Sequence, residues 1–359
     1  MKIAIIGLAN SGKTTVFNAL TRGAAETAAY SSGQMEPNLA TVKVPDERLA
    51  VLAQMFKPRK VTYADVQYVD VAGIGGGKPA AGLPPALLNY LSGADALLHV
   101  VRAFEDPAVP HPQGAVDPRR DIQTVDLELT FSDLAIIEKR LNRLNAEIPK
   151  LAAKEKELRT VERDLLLRLK AQLEADQPIR SLDLNEDEER LIRGYQFLTA
   201  KPMLIVLNIG EEHLQAPPAL EYPFPRSAVV PVCGKIEAEL AQLDDADARS
   251  FMEDLGITRP ARDLVIQRSY ELLGLISFLT AGPDEVRAWT IRRQTPAVEA
   301  AGVIHSDIQR GFIRAEVVAY ADLVRAGSMA EAKKHGLVRM EGKTYIVQDG
   351  DVCHFLFNV

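Results

Sequence analysis

The sequence predicts an α/β fold: a doubly wound, mostly parallel sheet with a phosphate-binding loop, an inserted α-helical hairpin and a small C-terminal β module. Three observations lead to this prediction. A glycine-rich loop directly follows an apolar run at the N-terminus, further short apolar runs alternate with helical segments, and a long leucine-rich stretch lies between two of them. Such alternation is typical of parallel sheets that are covered by helices on both faces.

The composition is that of an ordinary globular chain with several cores. The 359 residues are too many for one typical domain, and 47% of them are hydrophobic while 25% are charged. The net charge of −7 argues against a surface coated in positive charge for nucleic acid, although a local basic face stays possible. Cys233 and Cys353 form no CxxC pair, which indicates a reducing compartment without a structural metal. No apolar run is long enough for a membrane span, so we expect a cytoplasmic protein that does not bind membranes.

Five short apolar runs are predicted to be buried strands of the parallel sheet. They are Ile3–Ile6, Val66–Val71, Ala96–Val101, Met203–Leu207 and Ala228–Val232. All except the third end in polar or glycine residues. Ligands of such sheets bind beyond the carboxyl ends of the strands, so these four ends are expected to converge on one site.

About a hundred residues separate the third and fourth runs, which is too many for an ordinary crossover. Apolar residues inside this gap recur at spacings of three and four, with charged neighbours: Leu134, Ile137, Leu141, Leu144, Ile148, Leu151 and Leu158. Pro149 is expected to kink or end the first helix nearby. The pattern predicts a coiled-coil-like helical hairpin, over residues 123–199, inserted into a domain formed by residues 1–122 and 200–276. The seam either only holds the hairpin together or also docks a partner.

Residues 277–359 are predicted to form a small, mainly β module. Alternating segments predict strands at Val286–Ile291, Phe312–Tyr320, Lys343–Val347 and Val352–Phe357, with a short helix at Met329–His335.

The glycine-rich loop Gly7–Thr14 matches the pattern GxxxxGK[ST] completely. Backbone N–H groups in this loop cradle phosphate oxygens at the start of a helix. Lys13 is expected to reach the β- and γ-phosphates, and the Thr14 hydroxyl to bind Mg²⁺. The predicted phosphate-binding residues are Asn10, Ser11, Gly12, Lys13, Thr14 and Thr15.

The second apolar run ends in a DxxG motif, Asp70–Gly73. Asp70 can hold Mg²⁺ with Thr14, and Gly73 lets a backbone N–H approach the γ-phosphate, so Lys13, Thr14, Asp70 and Gly73 are the predicted catalytic set. Ile74 follows where many small GTPases place a glutamine that orients water. An isoleucine cannot do this, so the chemistry needs another donor or a partner.

The fourth run ends in Asn208-Ile209-Gly210-Glu211, at the place where guanine-specific switches have NKxD. The lysine is absent and glutamate replaces aspartate, so strict guanine recognition is lost and adenine becomes plausible. Asn208, Ile209 and Glu211 are the predicted base-site residues, together with Cys233 at the end of the fifth run. Glu211 is otherwise a solvated loop acid.

With these motifs in place, the chain resembles the YchF family, the Obg-like ATPases, from Met1 to Val359. The resemblance implies an Obg-type G domain, a helical hairpin and a β-grasp-like TGS domain over residues 277–359. It also implies ATP or dual ATP and GTP use, slow hydrolysis and ribosome association. The segments that carry it are Gly7–Thr14, Met35–Asn38, Asp70–Gly73, Val100–Glu105, Asn208–Glu211, Val230–Cys233, Phe278–Gly282, Glu285–Ile291, Gly311–Ala315 and Phe355–Val359.

The chain departs from the family pattern in its first switch segment, where Gln34 stands at the position of the family's magnesium-binding threonine. This departure motivates an alternative function, a nucleotide-gated binding module with negligible hydrolysis. A conventional GTP-specific switch is the other alternative, which Ile209 and Glu211 disfavour.

Several arginines of the C-terminal module suggest a face for ribosome or RNA: Arg287, Arg292, Arg293, Arg310 and Arg314. An ordinary solvated face, with Trp289 in the core, explains them equally well. His305 and Asp307 lie far from the phosphate loop in sequence, so we expect a structural role for the histidine. Both cysteines are expected to be small core residues.

Overall fold

The computed structural model describes residues 1–21, 38–71 and 83–358. Its contacts divide the chain into two compact units. The first comprises Met1–Ala40 and Gln67–Val265, and the second comprises Thr41–Val66 and Ile266–Val359. The predictions for Gln34, Gly73 and Ile74 lie outside the described residues. Within these three ranges, no helix is both long and apolar enough to cross a membrane.

The strands are β1 (Lys2–Ile6), β2 (Asn38–Lys43), β3 (Lys60–Thr62), β4 (Asp65–Asp70), β5 (Ala96–Ala103), β6 (Met203–Ile209), β7 (Ser227–Val232), β8 (Leu275–Ala281), β9 (Glu285–Arg292), β10 (Phe312–Ala319), β11 (Arg339–Glu341) and β12 (Asp351–Phe357).

The α-helices are α1 (Lys13–Thr21), α2 (Glu47–Phe56), α3 (Pro85–Ser92), α4 (Pro118–Glu147), α5 (Ala153–Glu174), α6 (Glu186–Ile192), α7 (Gly234–Leu240), α8 (Asp245–Asp254), α9 (Ala261–Leu272), α10 (Ala297–Ile304), α11 (Ser306–Arg310), α12 (Tyr320–Ala326) and α13 (Met329–Lys334).

The sheet of the first unit has the strand order β2-β4-β1-β5-β6-β7. The pairs β4–β1, β1–β5, β5–β6 and β6–β7 are all parallel. All seven residues of β6 are buried, as are the first seven of β5, because helices cover both faces of the central strands. The predicted α/β class and all five predicted strands of this sheet are confirmed.

The hairpin consists of α4 and α5, joined by a short 3₁₀ turn, Ile148–Lys150, that contains Pro149. Proline lacks the N–H that another α-helical turn needs, so it ends α4 where the sequence predicted. Most of the predicted seam is buried between the helices, but Leu158 is 65% exposed, and its assignment to the seam was wrong. The buried face of α5 is instead formed by four leucines: Leu165, Leu166, Leu169 and Leu173.

The second unit contains a mixed sheet with the order β11-β10-β12-β8-β9-β3. Helix α10 packs its fully buried alanines against the sheet, opposite Phe278 and Phe355. The predicted strand at Lys343–Val347 is wrong, because this segment turns through a hydrogen bond from Tyr345 N to Gly342 O and makes only an isolated bridge at Ile346. The sequence analysis also missed β11 and β8, and it overlooked β2 and β3.

Residues 41–66 group with the C-terminal part, whereas the sequence analysis placed them in the nucleotide-binding domain. Strand β3 pairs in parallel with β9, in the register Lys60 to Glu285. At the start of α2, Arg48 donates to Asp46 and to Asp349, whose Oδ1 also accepts from Ser277 N at 2.9 Å. The β3–β9 pairing and the Arg48–Asp349 contact join positions more than two hundred residues apart, which a local sequence pattern does not reveal.

Candidate functional site

The glycine-rich loop between β1 and α1 has a backbone that only glycine fits at two positions. Gly7 has φ 151° and Gly12 has φ 88°. A Cβ on Gly7 would lie 2.4 Å from the Val100 carbonyl oxygen, and one on Gly12 would lie 2.2 Å from Nδ2 of Asn208. Asn10 adopts φ 62° between them. The loop backbone therefore lies in close contact with β5 and β6. Its positive φ angles are possible because glycine occupies these positions.

Asn208, near the end of β6, links the phosphate loop to the first residue of α7. Its Nδ2 donates to Ser11 O at 3.0 Å, and its Oδ1 accepts from Gly234 N at 3.0 Å. The side chain is 4% exposed, so both bonds are sheltered from water. The structure thus joins the ends of β1, β6 and β7 through one amide, as expected for strands whose carboxyl ends converge.

Lys13 is held inside the loop at the start of α1. Its Nζ donates to Leu8 O at 2.7 Å. Burial lowers the pKa of Lys13, and the nearby charge of Asp70 opposes that shift. An ammonium group has three donors, so Lys13 can keep the Leu8 contact and still donate to a phosphate placed above the loop.

Thr14 and Asp70 are the pair that fits a magnesium ion. The Thr14 hydroxyl donates to Asp70 Oδ2 at 3.1 Å. Burial raises the pKa of Asp70, while the Thr14 hydrogen bond and the Lys13 charge oppose the rise. A buried carboxylate beside a hydroxyl is a hard oxygen donor set that a divalent cation stabilises. The residues present therefore fit Mg²⁺.

The predicted base site contains a pairing that the sequence did not indicate. Ile209 is 5% exposed and faces the core, while the Glu211 carboxylate accepts from Lys235 Nζ at 2.5 Å. Cys233 is buried at the N-cap of α7, where burial raises the pKa of its thiol. Lys235 was missed because a single lysine three residues beyond the end of β7 carries no recognisable pattern.

Strand β5 contributes two buried polar side chains, of which only Arg102 lies in a segment that carried the family resemblance, Val100–Glu105. Arg102 is 2% exposed, donates from Nε to Phe104 O at 3.1 Å and lies 4.5 Å from the centre of the Phe104 ring. His99 is fully buried, and burial lowers its pKa to about 3, so the imidazole is neutral. The loop after β5 then reaches the phosphate loop, because Asn10 Nδ2 donates to Pro110 O at 3.1 Å.

The C-terminal arginines lie on several elements of the second unit. Arg287 stacks on the Trp289 ring at 3.8 Å, while Trp289 Nε1 donates to Thr280 Oγ1 at 2.9 Å. The other four are exposed: Arg292 and Arg293 at the end of β9, Arg310 in α11 and Arg314 in β10. His305 caps α11 by accepting from Asp307 N at 3.1 Å, which is the structural role expected for it. Both cysteines are buried and free, as predicted.

Comparison with family models matches both ends of the chain. A model described as 50S ribosome-binding GTPase matches residues 2–143, and the YchF-type GTPase C-terminal model, described as a protein of unknown function, matches residues 275–358. The first match agrees with the phosphate loop and with the Thr14–Asp70 pair. The chain therefore carries a P-loop NTPase domain.

Full-length relatives extend this result to the whole chain. It is 43% identical to the ribosome-binding ATPase YchF of Bacillus subtilis, with 99% of this chain and 98% of the relative covered. It is 36% identical to Obg-like ATPase 1 of Caenorhabditis elegans, covering all of this chain and 92% of that protein. The solved Schizosaccharomyces pombe YchF GTPase superposes with a TM-score of 0.87 at 31% identity, over 99% of this chain and 97% of that one. The resemblance found in the motifs is confirmed, and the chain belongs to the YchF family.

Proposed function

We propose that this chain is a magnesium-dependent P-loop nucleotidase that binds ATP in preference to GTP, hydrolyses it slowly and associates with the ribosome according to its nucleotide state. The observation that carries the proposal is the base site. Asn208 is present and bridges two loops, but the acid that would read guanine, Glu211, is engaged by Lys235. The exposed Lys235 ammonium competes with the two guanine donors for the oxygens of this carboxylate.

The phosphate end of the site supports binding and hydrolysis. Backbone N–H groups from Asn10 to Thr15 and the ammonium of Lys13 would stabilise negative charge on the phosphates. Thr14 and Asp70 would hold Mg²⁺, which neutralises charge on the phosphate oxygens when it is bound. Ile74 supplies no hydrogen bond to an attacking water, and this absence supports a low intrinsic rate.

Competition of ATP against GTP for a fluorescent nucleotide, in the presence of Mg²⁺, tests the base preference. We expect tighter ATP binding, which Lys13→Ala removes. Tighter GTP binding in the wild type would show that Glu211 reads guanine and would overturn the adenine preference. Removal of Mg²⁺ with a chelator should weaken binding of both nucleotides.

Hydrolysis is tested by single-turnover reaction with the protein in excess. Slow conversion of ATP to ADP supports the nucleotidase. Intact triphosphate after prolonged incubation would favour the nucleotide-gated binding module, the function that Gln34 motivates.

The ribosomal part of the proposal rests on the names of the relatives and on the exposed arginines of the second unit. Charge reversal at Arg292 and Arg293 is expected to reduce co-sedimentation with ribosomes in ATP, because exposed arginines bind backbone phosphates. The matched control is the same reversal at Arg325 and Lys334, which are also exposed and lie on α12 and α13. Equal loss in both variants would mean that net charge, not this face, governs association.

A further inference from the structure

Arg102, near the carboxyl end of β5, is a buried arginine that donates into the loop after the strand. Its Nε donates to Phe104 O at 3.1 Å, and its Nη2 donates to Asp106 O at 3.4 Å. The guanidinium also lies over the Phe104 ring, 4.5 Å from the ring centre. A planar guanidinium can bond two carbonyl oxygens and stack on a ring at the same time, which an ammonium group cannot do. Arg102 therefore fixes the first residues of this loop.

The loop continues from this anchor to the phosphate loop. Asp106 closes a turn, in which its Oδ1 accepts from Ala108 N at 2.9 Å and its carbonyl oxygen accepts from Val109 N at 3.1 Å. The next residue, Pro110, accepts at its carbonyl oxygen from Nδ2 of Asn10 at 3.1 Å. A short, hydrogen-bonded path therefore connects the end of β5 with the phosphate loop.

Asn10 is the residue through which this path acts on the phosphate loop. It has φ 62°, a left-handed conformation that costs free energy for a residue with a side chain. Its backbone N–H belongs to the predicted phosphate cradle, and a change of φ would turn that N–H away. The hydrogen bond to Pro110 holds the side chain of Asn10 and so helps to keep its backbone in this conformation.

The adjacent strand already carries one buried side chain that organises the loops at this edge of the sheet. Arg102 is paired with Asn208 in the parallel register of β5 and β6. Asn208 donates to Ser11 O and so holds one part of the phosphate loop directly. Arg102 holds another part of it, at Asn10, through the loop after β5.

Arg102 is a costly residue to bury at this position. It is 2% exposed, and its Nη1 has no hydrogen-bond partner among the described residues. A buried donor without a partner costs free energy, so an apolar side chain of similar length would fill the same space at a lower cost. An apolar side chain cannot, however, hold the two carbonyl oxygens of the loop.

We propose that Arg102 is a positioning residue for the nucleotide site: it fixes residues 104–110, which hold Asn10 and with it the phosphate cradle. This inference rests on the proposed function, because it takes the phosphate loop as the nucleotide site. The backbone N–H groups of such a loop bind phosphates and not the base. Arg102 therefore supports the binding of ATP, GTP and ADP alike, and its effect is separate from the base preference.

Replacement of Arg102 by methionine keeps an unbranched side chain and removes all its donors. We expect Arg102→Met to bind ATP, GTP and ADP about fivefold more weakly in the presence of Mg²⁺, at an unchanged ratio of ATP to GTP affinity. Binding is measured below the temperature at which each variant unfolds, as determined by thermal unfolding. Unchanged affinity, or a loss confined to one base, would overturn the proposal.

The matched control is Arg180→Met, which also removes a buried arginine from the first unit. Arg180 is 4% exposed, donates to Thr199 O and lies over the Tyr222 ring, so its contacts lead away from the loop after β5. This variant should bind nucleotides like the wild type. An equal loss of affinity in both variants would mean that the burial of an arginine, and not the position of Arg102, matters.

A double-mutant cycle with Asn10→Gly tests whether the effect passes through Asn10. Glycine adopts the left-handed conformation readily but cannot donate to Pro110 O. Asn10→Gly should weaken nucleotide binding by itself. The further loss on adding Arg102→Met should then be less than about twofold, because the path is already interrupted. Two losses that multiply fully would contradict the path.

Hydrogen exchange without nucleotide separates this inference from the proposed function. The Ala108 and Val109 amides, both bonded to Asp106, should exchange about fivefold faster in Arg102→Met than in the wild type. Exchange at the wild-type rate in Arg102→Met would refute the positioning role, even if nucleotides bind as proposed. A wild-type chain that binds no nucleotide would instead refute the proposed function and the expected effect on affinity, and the exchange rates would still decide whether Arg102 fixes the loop.

Discussion

One charged cluster lies in the helical hairpin and another at the phosphate loop. The pKa shifts favour the charged form of the carboxylate in the hairpin and the neutral forms of the two groups at the loop. In the hairpin, Glu162 accepts from Arg140 through both carboxylate oxygens, at 2.7 and 2.8 Å, and also from Arg159 and Tyr195. These donors outweigh burial and lower the pKa of Glu162 to about 2. At the phosphate loop, Lys13 and Asp70 are shifted towards their neutral forms, because burial outweighs their partners.

The difference separates a cluster whose charges are paired within the protein from one whose charges are only partly compensated. The Glu162 carboxylate accepts hydrogen bonds at both oxygens. These bonds connect α4, α5 and the segment after α6. The loop lysine and the strand aspartate remain short of compensating charge, as expected where phosphates and a cation are to be bound. Substitutions in the two clusters and at the base site test this distinction, and the largest effect is expected at the phosphate loop.

Lys13→Ala is expected to lower ATP turnover by about 10²-fold or more, because it removes a positive charge from the site of phosphoryl transfer. Its effect on folding should be small, since Lys13 Nζ makes one hydrogen bond to a loop carbonyl. Turnover is measured by phosphate release, and folding by thermal unfolding. Wild-type turnover in the variant would remove Lys13 from the mechanism.

Glu162→Gln is expected to destabilise the hairpin by about 2–3 kcal/mol, because two arginines lose their shared carboxylate. Hydrogen exchange of the α4 and α5 amides measures this locally, whereas nucleotide binding should persist. Glu157→Gln, at an exposed position of the same helix, is the matched control. If both variants exchange alike, the cluster does not stabilise the hairpin.

The hairpin should also lose stability in acid. The folded-state pKa of Glu162, about 2, lies below the value of about 4.3 for an unfolded glutamate. Its contribution, on the order of 2 kcal/mol, is therefore fully present above pH 4.3 and is lost as the pH falls towards 2. Exchange measured over this range should depend on pH more steeply in the wild type than in Glu162→Gln. Parallel profiles would contradict the assignment.

The smallest effect is expected at the base site. Lys235→Ala frees Glu211 from an exposed ion pair and should raise GTP affinity relative to ATP by about threefold. The competition assay that compares ATP with GTP measures the ratio, and Lys334→Ala on α13 is the control. A ratio equal to that of the wild type would show that Glu211 does not face the base.

The sequence predicted those features that depend on neighbouring residues. Apolar runs indicated the central strands, because strands buried on both faces need apolar side chains throughout. The phosphate loop and Asp70 were recognisable because their spacing is fixed by local backbone geometry. Pro149 ended its helix as expected.

The features that the sequence analysis missed join distant parts of the chain. Arg180, Tyr222 and Asp126 meet across separations of 42 and 96 residues. Strand β3 pairs with β9 across more than two hundred residues. Nothing in a three-residue strand such as Lys60–Thr62 specifies its partner, since the pairing is decided by the fold around it. Leu158 was misassigned because the turn at Pro149 shifts the apolar phase of α5 relative to α4.

The pairing of β3 with β9 affects how this protein can be divided. A fragment that contains only residues 277–359 lacks the strand that closes one edge of its sheet, and it also lacks the Arg48 contact to Asp349. The C-terminal module therefore cannot be isolated as one continuous segment of the chain. An exchange of this module between two relatives must carry two pieces, residues 41–66 and 266–359, or leave an unpaired strand edge open to aggregation.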